Sequence, residues 1–218
     1  MTLLPAFPIA LIVLLAPGHL QDSRVSESAG VGFLKHALVE DRLSHDRKLP
    51  KSDREAHAKA FHLELNRAFK QLMMEAHSGD IESMYRIGAY SRMFAKEGLT
   101  TQKECLPWIE QAALKGHPEA PFEYALIMLD DDSIDKAKGF EWLKRSTQMG
   151  QRKGEAAVHL VRYYSYGSKE LGIKRNPAIA WTWAEKGAKA FGMDVAEFLI
   201  VNGLQNPDKI KPSFVQFE

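Results

Sequence analysis

Ala180-Trp-Thr-Trp183-Ala-Glu185-Lys-Gly-Ala-Lys-Ala-Phe-Gly192 repeats, in altered wording, two earlier stretches of the same chain. These are Cys105-Leu-Pro-Trp108-Ile-Glu110-Gln-Ala-Ala-Leu-Lys-Gly116 and Gly139-Phe-Glu-Trp142-Leu-Lys-Arg-Ser-Thr-Gln-Met-Gly150. Each has a Trp inside a helical pattern, a charged residue two positions later, small residues one turn on and a closing Gly. Self-similarity at a fixed spacing is the mark of a stacked-repeat architecture. Such architectures build binding surfaces more often than active sites.

A second recurring element precedes each Trp segment. Glu82-Ser-Met-Tyr-Arg-Ile-Gly88, Glu119-Ala-Pro-Phe-Glu-Tyr-Ala125, Glu155-Ala-Ala-Val-His-Leu-Val161 and Asp194-Val-Ala-Glu-Phe-Leu-Ile200 superpose at steps of 37, 36 and 39 residues. Ser83, Ala120, Ala156 and Val195 form a mostly small column, and Ile87, Tyr124, Leu160 and Leu199 a large one a helical turn later. Small beside large at this spacing lets neighbouring helices pack closely. Gly116, Gly150 and Gly192 stand where a left-handed residue is needed to reverse the chain.

These residues resemble the Sel-like repeat family, relatives of the tetratricopeptide repeats, with the pattern E-A-x-x-x-L-G-x-x-Y-x-x-G, a variable loop, then A-x-x-W-x-x-K-A-A-x-x-G. Glu155, Ala156, Leu160, Tyr164, Gly167, Ala180, Trp183, Gly187, Ala188 and Gly192 carry the resemblance in one unit. Ile87, Gly88, Trp108, Ala112, Ala113 and Gly116 carry it in another. It spans about Ala76 to Asn202. The second unit departs from it, with Ala125 in place of the preferred Gly and Ser146-Thr147 in place of Ala-Ala, and its loop is shortened to 130–135. The fourth has only its first helix before Pro207 and Pro212. The implied fold is all-α, an α-solenoid of stacked antiparallel helix hairpins with an N-terminal capping helix.

That capping helix is expected to begin at Ser52, whose spacing to Glu55 matches a capping box. Phe61, Leu65, Ala68, Phe69, Leu72, Met73 and Ala76 line one face of it, and Gly79 ends it. Upstream, residues 19–51 read as a polar linker or loosely ordered arm, with a short apolar patch at 31–39. Residues 1–18 read as a signal peptide: Ile9 to Leu15 is an apolar run too short for the roughly 20 residues of a spanning helix. Ala16-Pro-Gly18 offers small residues for cleavage, although no Lys or Arg precedes the run. The repeat domain is expected over 52–204 and a C-terminal tail over 205–218. The expected location is the periplasm, with no stable membrane insertion after cleavage.

The chain has 218 residues, with 29 Lys and Arg against 28 Asp and Glu. A net charge of +1 leaves no electrostatic footprint for nucleic acid. Cys105 is the only cysteine, which excludes an internal disulfide or a Cys-based zinc cluster. It aligns with Ala180, a packing position. No phosphate-binding loop, dinucleotide fingerprint, Gly-x-Ser-x-Gly or His-Glu-x-x-His is present. Read as a calcium loop, the run from Asp130 fails at position six, where Asp135 replaces the required Gly; a solvated turn that caps the next helix is the reading. His57 and His62, five apart, do not share a helix face. No catalytic, metal or cofactor residue is therefore expected, and the chain reads as no enzyme.

Solenoids of this kind present a concave surface lined by the first helices. Arg86, Tyr90, Glu123, His159, Arg162 and Tyr163 are the expected exposed residues there, with Tyr166 beside them. His159 shares a column with Arg86 and Glu123, off the buried stripe. Mixed charge with aromatics suits a protein partner. The resemblance extends to exported members that serve as envelope scaffolds, and to immunity proteins that block a toxic effector enzyme. The latter is the specific expectation; a cell-wall or β-lactam hydrolase would need a nucleophile with a positioned base, and none stands out. The unequal loops at 92–103, 130–135 and 167–176 are the other places where the units differ.

Overall fold

Helices end at the glycines that the spacing marks. Gly116, Gly150 and Gly192 adopt φ of +89°, +81° and +69°, the left-handed geometry that lets a backbone N–H turn back on the last carbonyls. The computed structural model describes residues 27–131 and 135–209. The expected signal peptide, Ser133 and most of the C-terminal tail lie outside them.

Ten α-helices follow one another, with no named strand among the described residues: α1 (Ala29–Ser44), α2 (Lys51–His77), α3 (Ile81–Ala89), α4 (Ser91–Lys96), α5 (Gln102–Leu114), α6 (Ala120–Asp130), α7 (Lys136–Ser146), α8 (Lys153–Tyr166), α9 (Pro177–Phe191) and α10 (Val195–Val201). A 3-10 turn, Pro207–Lys209, ends the order. Helices α3 and α5, α6 and α7, and α8 and α9 pair as the three complete hairpins, and α10 packs on α9. This is the all-α solenoid that the repeat implies.

Two expectations at the N-terminus are corrected. The expected loose arm contains α1, a 16-residue helix packed along α2. Val31, Leu34 and Ala37 recur every third residue and are buried, a short apolar stripe in an otherwise polar segment. Ser28 caps α1 by accepting from the Val31 N–H (3.3 Å). The cap of the solenoid is thus a hairpin. Ser52 forms no capping box, because Pro50 already occupies the N-cap of α2 and Ser52 donates to Asp53. The capping box lies instead at Thr101 and Glu104, at the start of α5.

Glu75 ties the cap to the first repeat. Its carboxylate accepts from the Gly30 N–H on α1 (3.0 Å), from Gln71 on α2 (3.0 Å) and from the Ser83 hydroxyl on α3 (2.7 Å). Partial burial works against its charge, yet the hydrogen bonds from Gln71, Ser83 and Gly30 hold it below the usual carboxylate range.

The core follows the columns. Ser83, Ala120 and Ala156 are buried beside Ile87, Tyr124 and Leu160. In the first unit Gly88 lets α3 touch α5: a Cβ there would meet Ile109 Cγ2 at 2.7 Å and its Cα at 3.2 Å. The second unit has Ala125 in that column, and the glycine has moved to the facing helix. A Cβ on Gly139 would lie 2.8 Å from Met128 Cβ. The departure from the family pattern is compensated across the same interface.

Cys105 is buried, with its thiol pushed up to about 11 by burial, as a packing position requires. Trp142 is 3% exposed, edge-on to Tyr124 at 5.2 Å and covered by the Arg145 guanidinium at 4.0 Å. Trp108 and Trp183 are only half-buried. Asp135 caps α7 by accepting from the N–H groups of Ala137 and Lys138, as the solvated-turn reading of that loop expects.

Candidate interaction surface

On each first helix, the charged column (Glu82, Glu119, Glu155) stands one turn before the mixed column (Arg86, Glu123, His159). Spacing of four puts the two columns on one helix face, and hairpin stacking brings successive faces side by side. The result is a polar ribbon running across α3, α6 and α8.

The ribbon begins at Glu82, which accepts from Arg86 Nε (2.5 Å) and faces His117 Nε2 at 3.0 Å. His117 Nδ1 accepts the backbone N–H groups of Glu119 and Ala120, both at 3.2 Å. That assigns the proton to Nε2, which donates to Glu82. The His117 ring stacks on Tyr85, centroids 4.0 Å apart and planes 19° from parallel. The Tyr85 hydroxyl donates to Glu119 (2.8 Å). Farther on, Arg152 pairs with both Glu123 and Glu155 and lies over the Phe122 ring at 4.3 Å. Phe122 in turn meets the edge of His159 at 5.6 Å.

Protonation follows from these contacts. The His117 hydrogen bond, helped by Arg86, holds Glu82 below the usual carboxylate range. Burial raises Glu123 despite the adjacent Arg152. Burial, with Arg162 adding repulsion, pulls His159 down to about 4, so it stays neutral near neutral pH.

Most of the residues singled out by column are therefore held by their neighbours. Arg86 and Glu123 are half-buried and paired within the ribbon. Tyr90 caps the end of α3 and packs against the core. His159 is corrected from an open surface residue to a half-buried one under Phe122 and the arginines. Tyr163 turns its ring to the edge of Phe140 at 5.3 Å, away from solvent. Arg162 and Tyr166 are the two of the seven that are exposed. Arg162 makes a long bond to the Asn202 carbonyl (3.4 Å). His117 and Arg152, which bridge one unit to the next, escape a column search because both lie in the linkers between units.

The unequal loops converge elsewhere. The short connection before α7 leaves the start of that helix uncovered. The longer segment after α8 folds into a small hairpin, with Ser168 and Ile173 exchanging two backbone hydrogen bonds of 2.8 Å. It reaches back to α7 through the ion pair of Glu170 with Lys136. A cleft of about 710 Å³ remains between them. Phe140, Tyr164, Leu171 and Ile173 give it apolar walls, and Lys138, Lys144 and Lys174 line it together with Asp135 and Glu141. Among the described residues no three His, Cys, Asp or Glu side chains are grouped to hold a metal ion, and no helix is long and apolar enough to cross a membrane.

No protein-family model matches the chain, and no curated protein does. Among solved structures, it is similar to a Sel1 repeat protein from Oxalobacter formigenes, with a TM-score of 0.50 and 17% identity, over 86% of this chain and 83% of that one. At this identity the likeness speaks for architecture: the chain has the fold of a Sel1 repeat protein.

Proposed function

We propose that the chain is an exported, non-catalytic module that binds another protein, and specifically an immunity protein that holds and neutralises a toxic effector enzyme in the periplasm. The observation that carries the binding reading is the ribbon across α3, α6 and α8. Its charges and aromatic rings are fixed before any partner arrives, and Arg162 and Tyr166 stand exposed beside it. Prearranged side chains lose little freedom on binding, which favours one tight partner. The apolar run Ile9 to Leu15 supports export. The assignment to toxin neutralisation rests on analogy with exported Sel-like repeat proteins.

The test is capture of partners by the chain from its own organism, followed by mass spectrometry and an activity assay on what is recovered. One tightly held enzyme whose activity the chain abolishes supports the reading. Recovery of only envelope-assembly proteins, each weakly held, sinks it in favour of a scaffold. Arg162→Glu should leave the thermal transition unchanged, since Arg162 is exposed, and should weaken capture. Unfolding by this substitution would contradict the placement of Arg162 on an open surface.

A further inference from the structure

We infer that the cleft between α7 and the 168–173 hairpin receives an extended segment of the partner, one that places a carboxylate beside a large apolar side chain. This rests on the protein-binding reading and names which part of the partner is recognised.

The cleft arises where two neighbouring units differ. A short loop before α7 and a long one after α8 leave a gap that the shared repeat columns do not create. Its shape is fixed in advance. The hairpin is closed by the Ser168–Ile173 bonds and pinned at one end by Lys136 and Glu170. At the other end Arg175 bonds the carbonyls of Ser165 (3.1 Å) and Pro207 (2.9 Å). A cleft of about 710 Å³ falls within the range of pockets that enclose a ligand-sized group.

Charge decides what fits. Asp135 is engaged as the cap of α7, accepting two backbone N–H groups. Glu141 is mostly exposed and holds Lys144 (2.7 Å). Lys138 is shared with Glu110 (2.8 Å). Lys174 lines the cleft and has no acidic partner among the described residues. A cation with no counter-ion beside apolar walls calls for an anion on an apolar body. The Lys144 ammonium over Phe140 at 4.8 Å adds positive potential at the same wall, and its exposed pair with Glu141 is of the weak kind that an incoming carboxylate can displace. A basic segment would meet Lys174 unfavourably, and a wholly apolar one would leave it without a counter-ion.

The experiment uses an array of synthetic seven-residue peptides. It combines Asp, Asn or Lys at one position with Phe, Leu or Ser at the next, and is probed with the full chain and with Lys174→Glu. The wild-type chain should select the Asp-Phe and Asp-Leu peptides. Lys174→Glu should lose them by about tenfold, as reversal of a contacting charge implies, and should gain the Lys-containing peptides. High salt should weaken both sets. Equal binding by wild type and Lys174→Glu overturns the inference, and so does selection of no peptide by the wild type. Partner capture reports separately. If capture survives while the array shows no selection, the cleft inference fails and the binding function stands; if capture recovers no partner, the functional reading itself fails.

Discussion

Replacing a glycine by alanine inside a helix has two opposed effects, and the structure says which one wins at each site. Alanine is favoured over glycine by about 1 kcal/mol in a helix interior. Gly32 lies in α1 with nothing within 4 Å of where a Cβ would stand, so Gly32→Ala should stabilise the chain by up to about 1 kcal/mol. Gly88 lies in α3 against α5, where the added Cβ would come within 2.7 Å of Ile109 Cγ2 and 3.2 Å of its Cα. The second contact is with backbone, so a rotamer change does not relieve it; the helices must part. Overpacking of this kind costs about 1–3 kcal/mol and sometimes more. It outweighs the propensity gain, and Gly88→Ala should destabilise by about 1–2 kcal/mol. Urea unfolding followed by circular dichroism measures both. The Ile109→Ala substitution removes the opposing side chain, so the double variant should recover part of the loss, with a coupling of about 0.5–3 kcal/mol. If Gly88→Ala stabilises the chain as Gly32→Ala does, α3 and α5 do not touch there and the packing described for the first unit is wrong.

Three further outcomes follow from burial and charge. Trp142→Ala opens a cavity under Arg145 and beside Tyr124 and should cost about 3–5 kcal/mol in denaturant unfolding; a cost under about 1 kcal/mol would place Trp142 outside the core. Ile200 occupies the column of Gly88, Ala125 and Val161, which are buried, but is itself 78% exposed. Ile200→Glu should therefore leave thermal stability almost unchanged while Val161→Glu unfolds the chain, and similar losses at both positions would refute the placement of α10. His159 is held down to about 4 by burial, with Arg162 and Arg152 repelling the proton and Glu155 attracting it. Between about pH 6.5 and 4 the unfolded chain takes up a proton that the folded chain refuses. Stability is thus full above that window and falls through it by about 3 kcal/mol. In His159→Gln the fall between pH 7 and pH 4.5 should be smaller by most of that amount; an equal fall in both proteins would mean that His159 is solvated.

The repeat was legible because its signals are local. A Trp, a run of small residues and a helix-ending Gly each act within one or two turns, so Cys105 to Gly116 or Ala180 to Gly192 can be read without knowing the neighbours. Helix α1 was harder. Its buried stripe is only Val31, Leu34 and Ala37, and what makes it a packed helix is α2 lying alongside, including a Glu75 carboxylate 45 residues away in sequence. The capping box illustrates a degenerate pattern: Ser52 with Glu55 and Thr101 with Glu104 share the same spacing, and Pro50 removes the first by starting the helix one residue too early. Similarly, the column of Arg86, Glu123 and His159 could be drawn from spacing, while its partners His117 and Arg152 sit in linkers whose position depends on how hairpins stack. Unequal loop lengths marked where units differ. That two of those loops line one cleft is a property of the superhelix alone.

Hydrogen–deuterium exchange of the chain with and without its captured partner tests the central claim most directly, because it reports which faces become covered. New protection should concentrate in peptides covering 82–93, 119–130 and 155–176, the first helices and the long loop, with the Trp-bearing segments 105–116 and 180–192 unchanged. Protection confined to those Trp-bearing segments would show that the partner reads what the repeats share, and would contradict the account.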